Sequence, residues 1–413
     1  MLEVIPFAAN RYDFAKTGGD VSNLIAPPYD VLDQKDKDAL LARSDHNIVA
    51  VDLPHLPPKS AGPPAAYDEA ATTLNAWLDD GTLTQDQKPA FYLYHQEFTY
   101  GGTTYTRRKF IARVRLRPFE EGIILPHELT FGGPKEDRLA LMKATRCQLS
   151  PIFGLYSDPK DVIGKAFAPT TEHRPDAQGT LDGVTNKLWI VTETSLIDAI
   201  VATMGTKKLY IADGHHRYGT ALMYRDFVRQ QEGGELRINH PANFCMFVLA
   251  SMDDPGCLIL PYCRALANVS LDTVLEAWAD GVEPCGVGSA DLVLEDGATG
   301  RQTGAKFTNR PALRSIEPGQ CDPWYDLDYA YLHRYLIDGL LKNKLGADPA
   351  VRYVKSEDDA KATARAESGV ALLTRATPMA HLRAVSEAGG FMPQKSTYFY
   401  PKLATGLTLN PLA

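Results

Sequence analysis

Residues 208–222 constrain the fold of this chain more than any other stretch. The segment begins with a short apolar run that has the character of a buried strand. Asp213 and Gly214 interrupt that run, and from His215 onward apolar residues return at helical spacing. The sequence therefore predicts a strand, a tight glycine turn and a helix N-terminus in direct succession.

A helix that begins directly after a strand and a glycine turn is suited to binding an anion. Its first N–H groups lack intrahelical partners, and the helix dipole is positive at this end. His215, His216 and Arg217 fall in the first turn, where positive charge opposes the dipole and does not favour stability. Asp213 has a simpler alternative role as a helix N-cap, worth about 1 kcal/mol. The misplaced charge favours a functional site for a phosphate or carboxylate.

The composition is that of a globular protein, with 44% hydrophobic and 23% charged residues over 413 positions. No apolar run reaches the roughly 18 residues of a membrane span. The first residues lack the basic and apolar regions of a signal peptide, so we expect a cytoplasmic protein without a membrane partner. The net charge of −8 argues against nucleic-acid binding, since neutralising phosphates requires a basic surface. The six cysteines contain no CxxC pair, so we expect reduced thiols.

Two segments before the glycine turn combine rigid backbone with reactive side chains. Residues 26–31 place two prolines before a Tyr-Asp pair, which indicates either a ligand-positioning loop or a structural corner. The pair His127-Glu128 precedes a helix predicted from Pro134, and Glu128 has the chemistry of a base or metal ligand. Lys135 and Arg138 fall in the first turns of that helix. A solvated loop with a capping helix is the alternative for this segment.

The C-terminal segment 392–402 mixes prolines, aromatic residues and two lysines. This composition predicts that the segment packs back on the body of the protein. Lys395, followed by Ser396, is similar to half of a phosphate-binding loop, although the preceding glycines of that motif are absent. Arg264, at the end of a predicted strand, is a further candidate for contact with a ligand.

The pattern of elements predicts an α/β protein with a mixed sheet of short strands. We expect three regions: residues 1–120, a core over 121–270 that contains both motifs, and residues 271–413. Strands are predicted over residues 47–53, 90–98, 103–111, 151–156, 188–191, 208–212, 242–249 and 258–264. Helices are predicted from residue 134 and over residues 196–204, 215–231 and 328–341.

Four sequence blocks resemble the family known as domain of unknown function 1015. They are residues 26–31, residues 126–138, residues 212–218 and residues 392–402. The resemblance extends over nearly the full chain, but the family has no settled activity to carry over. Such proteins usually have Pro-Thr-His-Arg where this chain has Pro261-Tyr262-Cys263-Arg264. A histidine role at that point is therefore in doubt, while Arg264 remains available.

The Asp-Gly-His-His-Arg turn is also similar to the phosphate motif of the ParB/sulfiredoxin superfamily, which includes free serine kinases. That resemblance implies a ParB/sulfiredoxin-like core and a nucleotide, ATP or ADP, bound at the turn. Gly214 would then allow close backbone approach, while His215, His216 and Arg217 would contact phosphates. Asp213 would hold Mg²⁺ or orient a histidine. Because position 215 is histidine rather than cysteine, sulfur chemistry is not expected.

These observations predict a nucleotide- and Mg²⁺-dependent phosphoryl-transfer enzyme that acts on a small hydroxylated metabolite, such as a serine-like amino acid. The expected catalytic residues are Glu128, Asp213, His215 and His216. The expected cofactor-binding residues are Gly214, His215, His216, Arg217, Lys135, Arg138, Arg264 and Lys395. The expected metal ligands are Asp213 and Glu128.

Two alternatives predict different features. A ParB-like nucleotide-binding switch predicts a basic helix-turn-helix after the motif. A metal-dependent hydrolase that uses Asp213, His215, His216 and His127 predicts a tightly bound transition metal in the purified protein, which elemental analysis would detect. The oligomeric state is open, with a homodimer as one option.

Overall fold

A computed structural model of the chain describes residues 1–58, 60–130 and 132–412 and has the mixed α/β architecture that the sequence predicts. The described part divides into two compact units. The first unit comprises Met1–Leu125, Thr130–Cys257 and the chain from Pro401 onward. The second unit comprises Pro126–Leu129 and Leu258–Tyr400. The division into three regions at residues 120 and 270 stays a prediction.

The strands are numbered in chain order. Their bounds are Val4–Ile5 (β1), Asn10–Tyr12 (β2), Leu83–Gln85 (β3), Phe91–Tyr100 (β4), Thr103–Arg115 (β5), Ile124–Leu125 (β6), Cys147–Gln148 (β7), Ile152–Tyr156 (β8), Ala177–Leu181 (β9), Val184–Val191 (β10), Leu209–Asp213 (β11), Phe244–Ser251 (β12), Leu258–Leu260 (β13), Cys263–Leu266 (β14), Val282–Cys285 (β15), Leu292–Asp296 (β16), Gln302–Phe307 (β17), Val351–Val354 (β18), Val370–Thr374 (β19), Tyr398–Tyr400 (β20) and Asn410–Pro411 (β21).

The α-helices are Phe14–Thr17 (α1), Gln34–Leu41 (α2), Val49–Asp52 (α3), Pro64–Asp79 (α4), Gly132–Thr145 (α5), Val162–Phe167 (α6), Thr194–Gly205 (α7), His215–Gln231 (α8), Leu271–Ala277 (α9), Ala312–Ile316 (α10), Asp322–Tyr325 (α11), Asp328–Ala330 (α12), Lys342–Leu345 (α13), Glu357–Ala366 (α14) and Met379–Glu387 (α15). Residues Tyr331–Leu341 form a π-helix. Short 3₁₀ turns lie at Tyr29–Val31, Phe119–Glu121, Ala168–Glu172, Pro241–Asn243 and Val287–Ser289.

A large mixed sheet organises the first unit, with strand order β6-β11-β8-β12-β5-β4-β10-β9 and β1 paired to β5. The pairs β11–β6 and β12–β8 are parallel, and the other neighbours are antiparallel. Strand β12 is buried along its whole length, as its continuous apolar run predicts. One face of the sheet packs on apolar residues of α6, α7 and α8, including Phe167, Ile200 and Tyr218.

The opposite face of the sheet carries polar side chains, and the chain from Pro401 onward covers them. Arg107 and Lys109 of β5 are 0% and 2% exposed, and both donate hydrogen bonds to Gln96 of β4. Arg113 donates to Asn410 and to the carbonyl of Pro411, where β21 pairs with β7. Arg107, Lys109 and Arg113 therefore point into a covered face of the sheet rather than into solvent.

The second unit is built on a smaller sheet with strand order β15-β17-β16-β19-β14-β18. Strands β18 and β19 flank β14 and are both antiparallel to it, with α14 between them in sequence. Strands β18 and β19 with α14 form a strand–helix–strand unit in which β14 lies between the two strands. Its small apolar core includes Cys263, Ala360 and Ala364.

Two predicted strands differ from the structure for local reasons. Residues 47–53 form the short helix α3 rather than a strand, because the Asn47 side chain accepts a hydrogen bond from the amide of Val49. The predicted strand over residues 258–264 is interrupted at Pro261. Its halves, β13 and β14, belong to different sheets, since proline removes a ladder donor.

Candidate functional site

Strand β11, a glycine and helix α8 follow one another as the sequence predicts. The register of β11 against β8 shifts between Ile211 and Asp213, which marks a bulge at the end of the strand. Asp213 is the last residue of the strand, and His215 is the first of a 17-residue helix. The bulge and turn place the side chain of Asp213 beside the helix start.

Gly214 occupies the N-cap position and is required there for two reasons. Its φ of 96° lies in the left-handed region, which other residues rarely adopt. A Cβ at this position would lie 3.0 Å from both Cζ and Nε of Arg217. Gly214 rather than Asp213 is the N-cap residue, so the N-cap alternative for Asp213 is wrong.

The carboxylate of Asp213 lies between two cations. Oδ2 is 2.7 Å from Nζ of Lys402, and Oδ1 is 3.4 Å from Nη2 of Arg217. Burial opposes ionisation most strongly, but the positive charges of Lys402 and Arg217 outweigh it and hold the pKa of Asp213 below its ordinary value. At neutral pH the group is therefore a firmly ionised carboxylate and a weak base.

Arg217 is fixed by contacts on both sides of its guanidinium. Nη1 donates to the carbonyl of Pro151, and Nη2 faces Asp213. The side chain is buried, and burial works against its charge, yet the carboxylates of Asp213 and Asp30 outweigh burial and raise its pKa. A preorganised cation therefore lies at the helix start.

Lys402 was not among the predicted site residues, although it belongs to the C-terminal segment that the sequence singled out. Gln96 donates through Nε2 to the carbonyl of Lys402 at 2.9 Å, and Arg107 donates to the carbonyl of Pro401. These two contacts hold the segment against the sheet and direct the Lys402 ammonium at Asp213. The two lysines of the segment were the available signal, but nothing in the sequence separated Lys402 from Lys395.

The two histidines differ in environment. His215 is 4% exposed, whereas His216 is half-buried. Burial is the main cause that lowers the pKa of His216, and the charges of Lys135 and Arg217 act in the same direction. His216 is therefore neutral at pH 7 and would contact a phosphate as a hydrogen-bond donor rather than as a cation.

Lys135 of α5 lies against helix α8. A Cβ at Gly219 would come within 3.0 Å of Cδ of Lys135, so the absent side chain makes room for the lysine stem. Thr220 reaches the carbonyl of Lys135 with its hydroxyl at 3.4 Å. The structure thus brings Lys135 to the first turns of α8, together with Asp213–Arg217.

Arg138 has a mainly structural environment. Nε donates to Asp137 and Nη1 donates to the carbonyl of Asp52, both at 2.6 Å, while Cζ lies 3.9 Å above the ring of Tyr29. Nη2 has no hydrogen-bond partner among the described residues. Arg138 and Arg217 both line a cavity of about 30 Å³, which is room for about one water molecule.

The other predicted site residues lie in the second unit. Glu128 has a side chain that is 31% exposed, next to the buried His127, whose Nε2 is 3.0 Å from the hydroxyl of Thr397. Arg264 is fully buried and donates to His333, to the carbonyl of Tyr262 and to the carbonyl of Lys395. The roles predicted for Glu128, Arg264 and Lys395 stay predictions.

The donor groups do not fit a resident metal. Over residues 1–58, 60–130 and 132–412, no group of three or more histidine, cysteine, aspartate or glutamate side chains could hold a metal ion. Asp213 is already paired with two cations. The metal-dependent hydrolase predicts a tightly bound metal, and the described residues include no group of three such ligands to hold one.

The elements after α8 bear on the ParB-like alternative. A 3₁₀ turn and the strands β12, β13 and β14 follow α8 in the chain. The segment directly after the motif is therefore strand-rich in the described structure, and the helix-turn-helix that this alternative requires is not found there.

Every helix that the structure describes is too short or too polar to cross a bilayer. Cysteines 147, 245, 257 and 263 are buried free thiols, as expected.

The sequence matches the family model described as protein of unknown function (DUF1015) over residues 4–312. The chain belongs to this family. The matched range contains the Asp213–Arg217 turn and ends before the C-terminal segment that supplies Lys402. No curated protein matches the sequence.

Several solved structures are similar to parts of the chain. A free serine kinase in complex with AMP has 11% identity and a TM-score of 0.33, and the match covers 72% of this chain and 91% of that one. A conserved hypothetical protein from Pyrococcus furiosus has 14% identity and a TM-score of 0.33, with coverage of 72% and 95%. SbnI with a C-terminal truncation, from Staphylococcus aureus, has 10% identity and a TM-score of 0.35, with coverage of 73% and 87%.

Proposed function

We propose that this protein is a phosphotransferase that binds ATP or ADP with its phosphates at the start of α8 and transfers a phosphoryl group to a small hydroxylated metabolite. The observation that carries the proposal is the start of α8, where the N-cap residue is Gly214 and the guanidinium of Arg217 lies directly against it. Anions bind well at such helix starts because the N–H groups and the dipole act together. The serine-like acceptor rests on the motif resemblance.

The surrounding side chains give this helix start its proposed roles. Arg217 and Lys135 would stabilise phosphate charge, because phosphoryl transfer depends mainly on positioned positive charge. His215 and His216 would add hydrogen bonds. Asp213 would hold Arg217 and Lys402 in place rather than act as the general base, since its pKa is held low. Glu128 stays the predicted base, and replacing it with Gln tests that role by its effect on turnover.

Mg²⁺ enters the proposal as a companion of the nucleotide rather than as a resident ion. Mg²⁺ commonly keeps several waters and binds through substrate phosphates with only one or two carboxylates. No catalytic step is assigned to it here, because the donor set does not fit a built metal site.

A thermal-shift screen tests the binding part of the proposal. ATP, ADP, CTP, GTP and pyrophosphate are added with and without Mg²⁺ to the wild type, His216→Ala and Lys402→Met. A ligand at 100 times its dissociation constant should stabilise the wild type by about 2.7 kcal/mol. His381→Ala, a change of the same type in the second unit, serves as the control and should keep the full shift.

Two outcomes would count against the proposal. If no compound stabilises the wild type, the nucleotide site is wrong. If a nucleotide stabilises the protein equally in His216→Ala and Lys402→Met, the nucleotide binds elsewhere. Phosphorus NMR of the wild type with the stabilising nucleotide and a set of hydroxylated amino acids then tests transfer, because a new phosphomonoester signal must appear.

A further inference from the structure

A cavity of about 180 Å³ lies in the first unit between helix α6 and strands β4 and β5. It shares no lining residue with the Asp213–Arg217 turn. Its inner wall is apolar and largely aromatic, formed by Leu93, Phe110, Tyr156, Ile163 and Phe167. This lining suits an apolar ring more than a phosphate or a sugar.

His95 of β4 supplies a polar group in this cavity. Its side chain is 9% exposed and its ring meets Trp189 edge-on, with centroids 5.1 Å apart. Burial, followed by the charges of Lys109 and Arg108, lowers its pKa to about 4, so the ring is neutral at pH 7. Among the described residues no group hydrogen-bonds a ring nitrogen of His95. Because a neutral imidazole has one acceptor nitrogen, the ring can accept a hydrogen bond from a ligand in the cavity that it lines.

The rim of the cavity is charged but internally paired. Arg108 contacts Asp161 and Asp254 at 2.8 Å each. Gly164 makes this arrangement possible, since a Cβ there would lie 2.1 Å from Oδ1 of Asp161. Lys109 also lines the cavity, so two cations (Arg108 and Lys109) face two carboxylates (Asp161 and Asp254), and the lining carries no surplus positive charge. An anionic ligand is therefore not favoured, and an uncharged one is.

The cavity volume limits the ligand to one ring. An apolar cavity of about 150 Å³ in another protein stays dry and binds benzene, so 180 Å³ accommodates one aromatic ring with a small substituent. We propose that this cavity is a second ligand site, which binds an uncharged single-ring phenol whose hydroxyl donates a hydrogen bond to His95. This proposal is independent of the nucleotide site.

The test uses 4-fluorophenol and 4-fluorotoluene as probes and fluorine NMR of the full chain. The two probes differ in the hydroxyl that would reach His95. We expect the wild type to bind the phenol more tightly than the toluene. His95→Phe keeps an aromatic ring against Trp189 but removes the acceptor, and it should weaken phenol binding about fivefold to tenfold while leaving toluene binding unchanged.

A second variant keeps the proposal testable if His95→Phe does not fold. Ala168 lies at the exposed rim, so Ala168→Trp should block the cavity and abolish binding of both probes without disturbing the core. His173→Phe replaces an exposed histidine and should leave both affinities unchanged. The proposal is overturned if the wild type shows no saturable phenol binding, or if Ala168→Trp binds both probes as the wild type does.

Discussion

Each unit of this protein contains a cluster with an arginine, a lysine and nearby aromatic residues. The two clusters differ in whether the arginine faces a charged group or uncharged groups. In the first unit, Arg217 and Lys402 face the carboxylate of Asp213, whose side chain is 26% exposed. In the second unit, each of the three guanidinium nitrogens of the fully buried Arg264 donates to an uncharged acceptor. The first arrangement keeps charge near solvent for a ligand, whereas the second uses a charge to fix the fold.

The contrast shows why residue type alone could not identify the site. Arg264 stacks over Tyr329 and Tyr353 and holds the backbone at Lys395, where φ is 58°. Its donors are occupied by the fold itself. Four substitutions, from the largest expected effect to the smallest, test this contrast between the two clusters.

The largest effect is expected from Arg264→Leu. Removing the guanidinium leaves the carbonyl of Lys395 and the ring of His333 without their buried donor, and we expect the free energy of unfolding to fall by about 3–5 kcal/mol. Hydrogen exchange of the β14 amides measures the change within the second unit. Arg352→Leu, at an exposed ion pair with Glu367, should alter it by less than about 1 kcal/mol. Equal effects of the two changes would remove the structural role of Arg264.

The next effect concerns acid stability of the second unit. Burial, then the charge of Arg264, lowers the pKa of His333 from 6.5 to about 3. Folding therefore favours the neutral ring, and its contribution is complete above pH 6.5 and lost as pH falls toward 3. His333→Gln keeps an acceptor but does not titrate, so it should remove an acid-dependent loss on the order of 2–4 kcal/mol. Hydrogen exchange of the β14 amides from pH 7 to pH 4 checks this. If stability depends on pH equally in the wild type and in His333→Gln, the prediction is wrong.

A direct comparison of the two lysines comes third. Lys402→Met leaves Asp213 without its closest cation, so a phosphate would meet an unshielded carboxylate. We expect nucleotide affinity to fall about 10- to 100-fold, equal to about 1.4–2.7 kcal/mol. Lys395→Met, whose Nζ lies 5.5 Å from the centroid of the Tyr262 ring, should change affinity less than about threefold. Calorimetric titration measures the nucleotide affinity of both variants. Equal losses of affinity in Lys402→Met and Lys395→Met would support the role predicted for Lys395.

The smallest effect is an acid-dependent loss of stability at Asp213. The pKa of Asp213 is held below its ordinary value of 3.8. The ion pairs of Asp213 therefore contribute their full stability above pH 3.8, and this contribution is lost as the pH falls below that value. Asp213→Asn should therefore lower the free energy of unfolding by about 1 kcal/mol at pH 7 and by less at pH 3. Asp226→Asn, at an exposed position of α8, is the matched control. A loss at Asp213→Asn that does not depend on pH would contradict the ion-pair account.

Features set by neighbouring residues could be predicted from the sequence. The apolar run of β11, the glycine with positive φ and the helical spacing of α8 are all local, and all three were predicted. The β4–β5 hairpin was predicted for the same reason, because two glycines join two apolar-alternating runs. Residues 47–53 were mispredicted because one side chain, Asn47, bonds locally and favours a helix.

Features set by distant contacts could not be predicted. Lys402 is separated from Asp213 by 189 positions, and no spacing rule connects them. The burial of Arg107 depends on a contact with Pro401, almost 300 residues later in the chain. Composition indicates that a basic strand needs a partner, but only the folded chain shows which backbone covers it.

The path of the chain through the first unit has a consequence for the order of assembly. The chain leaves this unit after Cys257 and returns at Pro401, with the second unit made in between. During synthesis, the helix start at Gly214 therefore emerges long before the lysine that pairs with Asp213. A nascent chain would carry the anion site without Lys402 and with the sheet face around Gln96 uncovered. Completion of the site is thereby delayed until the return segment has been translated, and any premature stop before Pro401 leaves the site unfinished.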